Sequence, residues 1–252
     1  MKAFVKSYWK VILFFAIAGL AGGFFTGLYL LDNYPEEIRL QILEQGIDST
    51  MLGVITAAQA AMYGLVLGAA GIALAKKVGL WREMQRFETP SVLAAGIVAV
   101  VGGLVMILAD VLYFNGYSDV IAASYEAKPS AAFILGALLY GGVIEEVMLR
   151  LFMMSLIAWI LHKLFGKKTE KPSTAILAAA NVVVAILFAA GHLPATEMLM
   201  GLTPIIVFRC FLLNGGFGLL FGWLYRKYGL RYAMLAHGGC HVVSKLIWIL
   251  FL

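Results

Sequence analysis

The sequence predicts an all-α fold, a polytopic transmembrane helical bundle of about seven spans with the N-terminus in the cytoplasm. Of its 252 residues, 62% are hydrophobic and 13% are charged, whereas soluble domains are about half apolar and about a quarter charged. Several apolar runs approach the ~20 residues that cross a bilayer as a helix, the form in which a segment satisfies its own backbone hydrogen bonds in lipid. Most basic residues also lie in connections on one side of the membrane, as they do in other membrane proteins.

The apolar runs occupy most of the chain and leave no long polar segment for a second domain. We therefore expect a single membrane domain over 1–252, with scaffold helices in about 1–129 and the chemically active residues in about 130–245. The first run is longer than the ~7–15 residues of the apolar region in a cleaved signal peptide, so we interpret it as a retained span. In chain order, the runs are 11–31, 51–75, 91–114, 130–161, 174–192, 204–225 and 232–251.

Two further patterns predict how these spans pack and connect. Gly64 and Gly68 in the second run, and Gly218 and Gly222 in the sixth, have the spacing of small residues at close helix contacts. The acidic connection 32–50 is expected to form a short helix on the outer surface.

The charges of the connections support this orientation. With the N-terminus inside, the outer segments hold two basic residues, Arg39 and Lys128, against eight acidic ones. The net charge of +5 then reflects the cytoplasmic loops of a membrane protein, so we expect a lipid bilayer and no nucleic acid among the partners. We expect an integral protein of a prokaryotic cytoplasmic (inner) membrane. The cytoplasmic segments hold 14 of the 19 basic residues: Lys2, Lys6, Lys10, Lys76, Lys77, Arg82, Arg86, Lys163, Lys167, Lys168, Lys171, Arg226, Lys227 and Arg231.

Ionisable and polar residues inside the predicted spans are concentrated after residue 140. A charged residue at mid-membrane costs roughly 2.5–3.5 kcal/mol on insertion scales, so such residues are candidates for function. On an α-helix, Glu146 and Arg150 lie four apart on one face and can form an ion pair. Glu145 points about 100° away from Glu146 and has no partner in its own helix, which makes it a candidate general base. The set is Glu145, Glu146, Arg150, His192, Arg209, Asn214, His237, His241 and Lys245.

Three histidines fall in short motifs. His192 ends "FAAGH", while His237 and His241 bracket "HGGCH" and share one helix face because they are four apart. Together with "EEVMLR" at 145–150, these motifs in this order resemble those of the CPBP family of intramembrane proteases, which includes CAAX prenyl proteases and bacteriocin-processing Abi proteins. The resemblance covers about residues 130–245 and implies a helical membrane protease.

The resemblance also implies a role for each motif residue. Glu145 with His192 would polarise a water molecule for attack on a peptide carbonyl of a membrane-associated peptide or membrane-protein substrate. His237 and His241 would donate hydrogen bonds to the tetrahedral oxyanion, a contribution of about 3–4 kcal/mol per donor. The remaining motif residues, which would hold the site together, are Glu146 and Arg150.

His241 departs from the prenyl proteases, which usually have Asn at this position. Both residues donate hydrogen bonds, so the oxyanion role survives, but His is also a metal ligand. In the alternative, zinc-dependent version, Glu146 would be the base. We favour the version without a cofactor, because the chain has no HExxH motif and a zinc site would need ligands from three helices. The zinc ligands would be Glu145, His192, His237 and His241.

Two other functions stay open. Paired carboxylates, arginine and histidines also form proton relays, so a proton-coupled transporter is one alternative, although the internal repeat typical of many carriers is absent from the sequence. A non-catalytic immunity scaffold is the other.

Position along the spans places Glu145 and His241 near mid-membrane but His192 at the outer end of 174–192, so either 172–181 is partly loop or this helix is tilted.

Overall fold

The computed structural model describes residues 2–83, 87–166 and 169–252, and every regular element within these ranges is helical. Three residues that contribute to the predicted charge asymmetry, Arg86, Lys167 and Lys168, lie outside the described residues. The described residues contain seven helices that are long and apolar enough to cross a membrane, as predicted: Lys6–Asn33, Ser49–Val78, Thr89–Leu112, Ala131–Phe165, Thr174–Met200, Pro204–Tyr228 and Leu230–Phe251. The protein is thus an integral membrane protein with an all-helical fold.

The α-helical elements are numbered in chain order, and some spans contain more than one of them because a π-helical segment interrupts the α-helix. The connection 32–50 contains α2, the short helix that was predicted there. The elements are α1 (Lys2–Asn33), α2 (Glu36–Glu44), α3 (Ser49–Met62), α4 (Gly68–Val78), α5 (Thr89–Leu112), α6 (Asp119–Ser124), α7 (Ala131–Gly136), α8 (Ser155–Phe165), α9 (Thr174–Met200), α10 (Pro204–Cys210), α11 (Gly216–Tyr228) and α12 (Leu230–Phe251).

The fourth span differs from the regular α-helix that the sequence predicts. Two π-helical segments, Ala137–Glu145 and Val147–Met154, fill the stretch between α7 and α8. Glu146 lies at their junction. In π-helical geometry each N–H donates to the carbonyl five residues earlier, and such segments are rare and frequently occur at functional sites. The expectation of 100° per residue is therefore wrong for this stretch, although Glu146 and Arg150 still meet.

The fifth span also differs from its predicted extent. It runs as one helix from Thr174 to Met200, through Pro194. His192 is therefore about 12 Å from the C-terminal end of the helix, at 1.5 Å per residue. Because the helix begins at Thr174, only 172–173 of the segment 172–181 lies outside it, and it is the longer outer end that places His192 inside the bundle.

Glycines bring the helices into close contact at the two predicted places. A Cβ atom at Gly68 would lie 2.8 Å from the ring of Phe15 in α1, and one at Gly222 would overlap the side chain of Asn181 in α9. Contacts this close are possible only without a side chain. The spacings Gly64–Gly68 and Gly218–Gly222 are thus confirmed as close helix contacts.

Candidate active site

A cavity of about 890 Å³ lies within the bundle and reaches the ends of several spans. Its floor contains Glu145, His237 and His241, and its outer part reaches Asp32 near the end of α1 and Trp248 near the end of α12. These helix ends adjoin the connections 34–48 and 113–130, on the side opposite the basic loops. The cavity therefore leads from the predicted outer face to the residues singled out by the motifs.

Glu146 and Arg150 are buried beneath the cavity floor, where they form a polar cluster with His237. Arg150 Nη1 lies 3.0 Å from Glu146 Oε1, and the two side chains are 1% and 0% exposed. The same oxygen accepts a hydrogen bond of 2.8 Å from His237 Nδ1. Arg150 Nη2 donates to the carbonyl of Gly218 at 3.1 Å, which the missing side chain of that glycine allows. The predicted ion pair is present, and it also orients a histidine from another helix.

Two phenylalanine rings enclose the charged part of this cluster. The Arg150 guanidinium lies 4.7 Å from the ring centre of Phe188 and 5.4 Å from that of Phe221. Phe221 also stacks on the His237 ring, with 4.5 Å between centres and 18° between planes. Cation–π attraction is strongest where the cation is desolvated, so the rings compensate in part for burying the arginine. Phe188 is the first residue of the "FAAGH" motif, whereas no role for Phe221 was predicted from the sequence.

Glu145 faces the cavity, with a side chain 19% exposed, and its neighbours come from other helices. His192 Nε2 lies 3.9 Å from Glu145 Oε1, and His237 Nε2 lies 3.9 Å from Glu145 Oε2. Both distances exceed direct hydrogen-bond range. The structure thus brings Glu145 together with two of the predicted histidines, as the sequence-based roles require.

The hydrogen bonds of the two histidines assign the proton at Nδ1. His192 Nδ1 lies 2.8 Å from the carbonyl oxygen of Phe188, and a carbonyl only accepts, so His192 carries a proton at Nδ1. His237 Nδ1 donates to the Glu146 carboxylate by the same reasoning. Each neutral ring then presents an Nε2 lone pair toward Glu145, and a doubly protonated ring presents an Nε2–H donor there.

His241 completes the floor, next to a glycine that sequence analysis did not single out. A Cβ atom at Gly141 would lie 2.9 Å from His241 Nε2 and 3.8 Å from His237 Nε2. The absent side chain of Gly141 therefore leaves space beside both nitrogens. His241 Nδ1 is buried and has no hydrogen-bond partner among the described residues, which leaves the neutral ring free to carry its proton on Nε2.

A second polar cluster lies in the outer part of the cavity. Arg209 donates from Nε and Nη2 to the two carboxylate oxygens of Asp110, at 2.6 Å each. Tyr125 also donates to Asp110, at 3.0 Å. Burial, and then the Asp110 charge, raises the pKa of Tyr125, so its hydroxyl keeps the proton that it donates. Arg209 was recognised in the sequence only as a polar residue within a span, because its partner Asp110 lies 99 residues away in the chain.

The cavity floor contains four side chains of types that bind metal ions. Among residues 2–83, 87–166 and 169–252, no group of three or more His, Cys, Asp or Glu side chains has the geometry to hold a metal ion. The four predicted zinc donors lie near one another, and the carboxylate of Glu145 is 3.9 Å from the Nε2 atoms of both His192 and His237. The zinc-dependent version therefore stays a prediction.

Comparison with known proteins identifies the family of the region that forms this site. Residues 127–243 match the family described as type II CAAX prenyl endopeptidase Rce1-like. Searches of curated proteins and of solved structures gave no match. The matched region includes all six candidate residues and nearly coincides with the predicted 130–245. The match to this family confirms the resemblance seen in the motifs.

Proposed function

We propose that this protein is an intramembrane endopeptidase that hydrolyses a peptide bond of a membrane-associated or lipophilic peptide or protein, without a metal cofactor. The observation that carries the proposal is the position of Glu145, within 3.9 Å of two histidine Nε2 atoms at the floor of an open cavity. The family match supports protease activity of this class.

Glu145 and His192 activate the attacking water in this mechanism. The water binds between the Glu145 carboxylate and His192 Nε2 and gives a proton to Glu145 as its oxygen bonds to the peptide carbonyl carbon. Glu145 then returns this proton to the amide nitrogen as the carbon–nitrogen bond breaks. Water thus ends as the new carboxyl group and amine of the two products, and Glu145 acts as base and then as acid.

His237 and His241 stabilise the oxyanion in this mechanism. His237 does so in its doubly protonated form, because its Nδ1 proton is already donated to Glu146 and its Nε2 must carry a second one. His241 acts as a neutral donor through Nε2, next to the space left by Gly141.

The substrate reaches this site from the outer face. The outer part of the cavity is formed by helix ends beside the connections 34–48 and 113–130, and the basic segments lie at the opposite ends of the spans. A lipophilic substrate can therefore remain in the membrane while its peptide segment enters the cavity from that side.

The proposal is tested by comparing cleavage products in membrane proteomes of cells that produce the wild type, Glu145→Gln or His192→Ala. We expect both substitutions to remove a common set of products, because either one removes a group that activates water. Matched controls are Glu197→Gln, an exposed acid on α9, and His162→Ala, on α8 away from the cavity lining. Both controls should preserve the products. If the two active-site variants accumulate normally and no product changes, the protein is not a protease of this kind.

The donor role of His241 has its own test, because Asn can replace His as a hydrogen-bond donor but not as a metal ligand. His241→Asn keeps a hydrogen-bond donor, and we expect it to retain most of the activity. His241→Ala removes the donor and should lower kcat by about 10²–10³-fold, as for other oxyanion donors. Equal activities of these two variants would show that His241 does not donate to the oxyanion.

Metal analysis distinguishes this mechanism from the zinc-dependent version. We expect purified, active protein to hold no stoichiometric zinc and to keep its activity in the presence of a chelator. Stoichiometric zinc that is lost in His237→Ala would replace the proposed mechanism by the zinc-dependent one.

A further inference from the structure

Lys245 is a buried cation in the wall of the cavity. Its side chain is 8% exposed and lines the cavity. Nζ lies 4.4 Å from the ring centre of Phe133, so the ammonium is held over an aromatic face. Among the residues that the structure describes, no carboxylate lies within 4.0 Å of it. A buried charge without a counter-charge is costly, and here the position for a counter-ion is the cavity itself.

The other two cations of the cavity wall already have partners. Arg209 is neutralised by its paired hydrogen bonds to Asp110. Lys128 is exposed and donates to the carbonyl oxygens of Trp248 and Ile249, at 3.4 and 3.0 Å, near the C-terminal end of α12. The lining also contains two further acids, Asp32 and Glu145. Lys245 thus differs from both, because its ammonium lines the cavity without a carboxylate within 4.0 Å among the described residues.

The position of Lys245 relates it directly to the proposed catalytic residues. It lies four residues after His241 and eight after His237 on α12, about 6 and 12 Å along the helix axis. A substrate carbonyl bound at these histidines therefore belongs to a peptide that continues past Lys245 toward the outer end of the cavity. Extended chains advance about 3.3 Å per residue, so a short segment covers this distance.

We propose that Lys245 binds a carboxylate of the substrate, either the C-terminal carboxylate or an acidic side chain, and thereby positions the scissile bond beside Glu145. This inference rests on the proposed function. The ammonium offers three donors to one carboxylate in a site of low dielectric constant, where such hydrogen bonds are strong. Lys245 is accordingly a specificity-determining residue that takes no part in the bond-breaking step.

The test measures binding without cleavage, in Glu145→Gln protein inserted into nanodiscs of neutral phosphatidylcholine. The protein is incubated with an equal mixture of three pools of short palmitoylated peptides, and the retained peptides are quantified by mass spectrometry. The pools are neutral peptides with a free C-terminal carboxylate, the same peptides as C-terminal amides, and amides that contain one glutamate. We expect one carboxylate-bearing pool to be enriched about tenfold over the neutral amides, which corresponds to 1.4 kcal/mol. The enriched pool identifies which carboxylate is bound.

Substitutions in this Glu145→Gln protein assign the enrichment to Lys245. Lys245→Met keeps about the length of the side chain but removes its charge, and it should abolish the enrichment. Lys245→Arg keeps the charge and should preserve most of the enrichment. Lys128→Met, which removes a cation near the same end of the cavity, should leave it unchanged. The proposal is overturned by equal retention of all pools in the Glu145→Gln protein, or by enrichment that survives Lys245→Met. Failure of the proposed function would look different, because wild-type protein would then retain the peptides without cleaving them.

Discussion

The buried pair of Glu146 and Arg150 provides the sharpest quantitative prediction. Arg150→Met would keep much of the side-chain volume but remove the ion pair at 3.0 Å, the hydrogen bond to Gly218 at 3.1 Å and the contacts with two phenylalanine rings. Glu146, 0% exposed, would be left as a buried charge with His237 as its remaining partner. Removing one member of a buried pair costs about 3–5 kcal/mol, and we expect this loss in the free energy of unfolding.

The measurement is reversible unfolding of purified protein in mixed micelles by sodium dodecyl sulfate, followed by the loss of helical circular dichroism. Glu146→Gln removes the partner charge, so the double variant should lose less stability than the sum of the single variants, by roughly 0.5–3 kcal/mol. The control is Lys163→Met, an exposed cation on α8, which should change stability by less than about 0.5 kcal/mol. A loss below about 1 kcal/mol for Arg150→Met, or strict additivity, would refute the conclusion that the pair is a stabilising unit.

Three further predictions concern the cavity floor, the metal and the topology. Gly141→Ala should strongly reduce activity, because its Cβ atom would lie 2.9 Å from His241 Nε2. Gly96→Ala is the control and should leave activity unchanged, because no atom lies within 4 Å of a Cβ atom at that position. Equal activities of the two variants in a cleavage assay would contradict this prediction. A chelator should not slow cleavage by purified protein, and inhibition that added zinc reverses would contradict the metal-free mechanism. In a cysteine-free background, a membrane-impermeant maleimide added to intact cells should label Asp119→Cys and not Lys227→Cys, and the reverse pattern would invert the orientation.

Much of the fold followed from local properties of the sequence. Seven spans, the helix in the connection 32–50 and the glycine contacts of α4 and α11 were predicted correctly, because length, hydropathy and the size of side chains act within one segment or at its surface. The helical type of Ala137–Glu145 and Val147–Met154 and the extension of α9 to Met200 were not predicted. Both depend on packing against neighbouring helices, which composition does not specify.

For the site, the sequence by itself indicated which residues are candidates for chemistry, because charges and histidines are costly in lipid. It also paired Glu146 with Arg150, because they are near in the chain. Only the tertiary structure decided how these residues meet across helices. It joined His237 to Glu146, set His192 beside Glu145 and left Lys245 without a counter-charge. The physical reason is that hydrogen bonds and ion pairs act over a few ångströms in space, and sequence spacing fixes such distances only within a single helix.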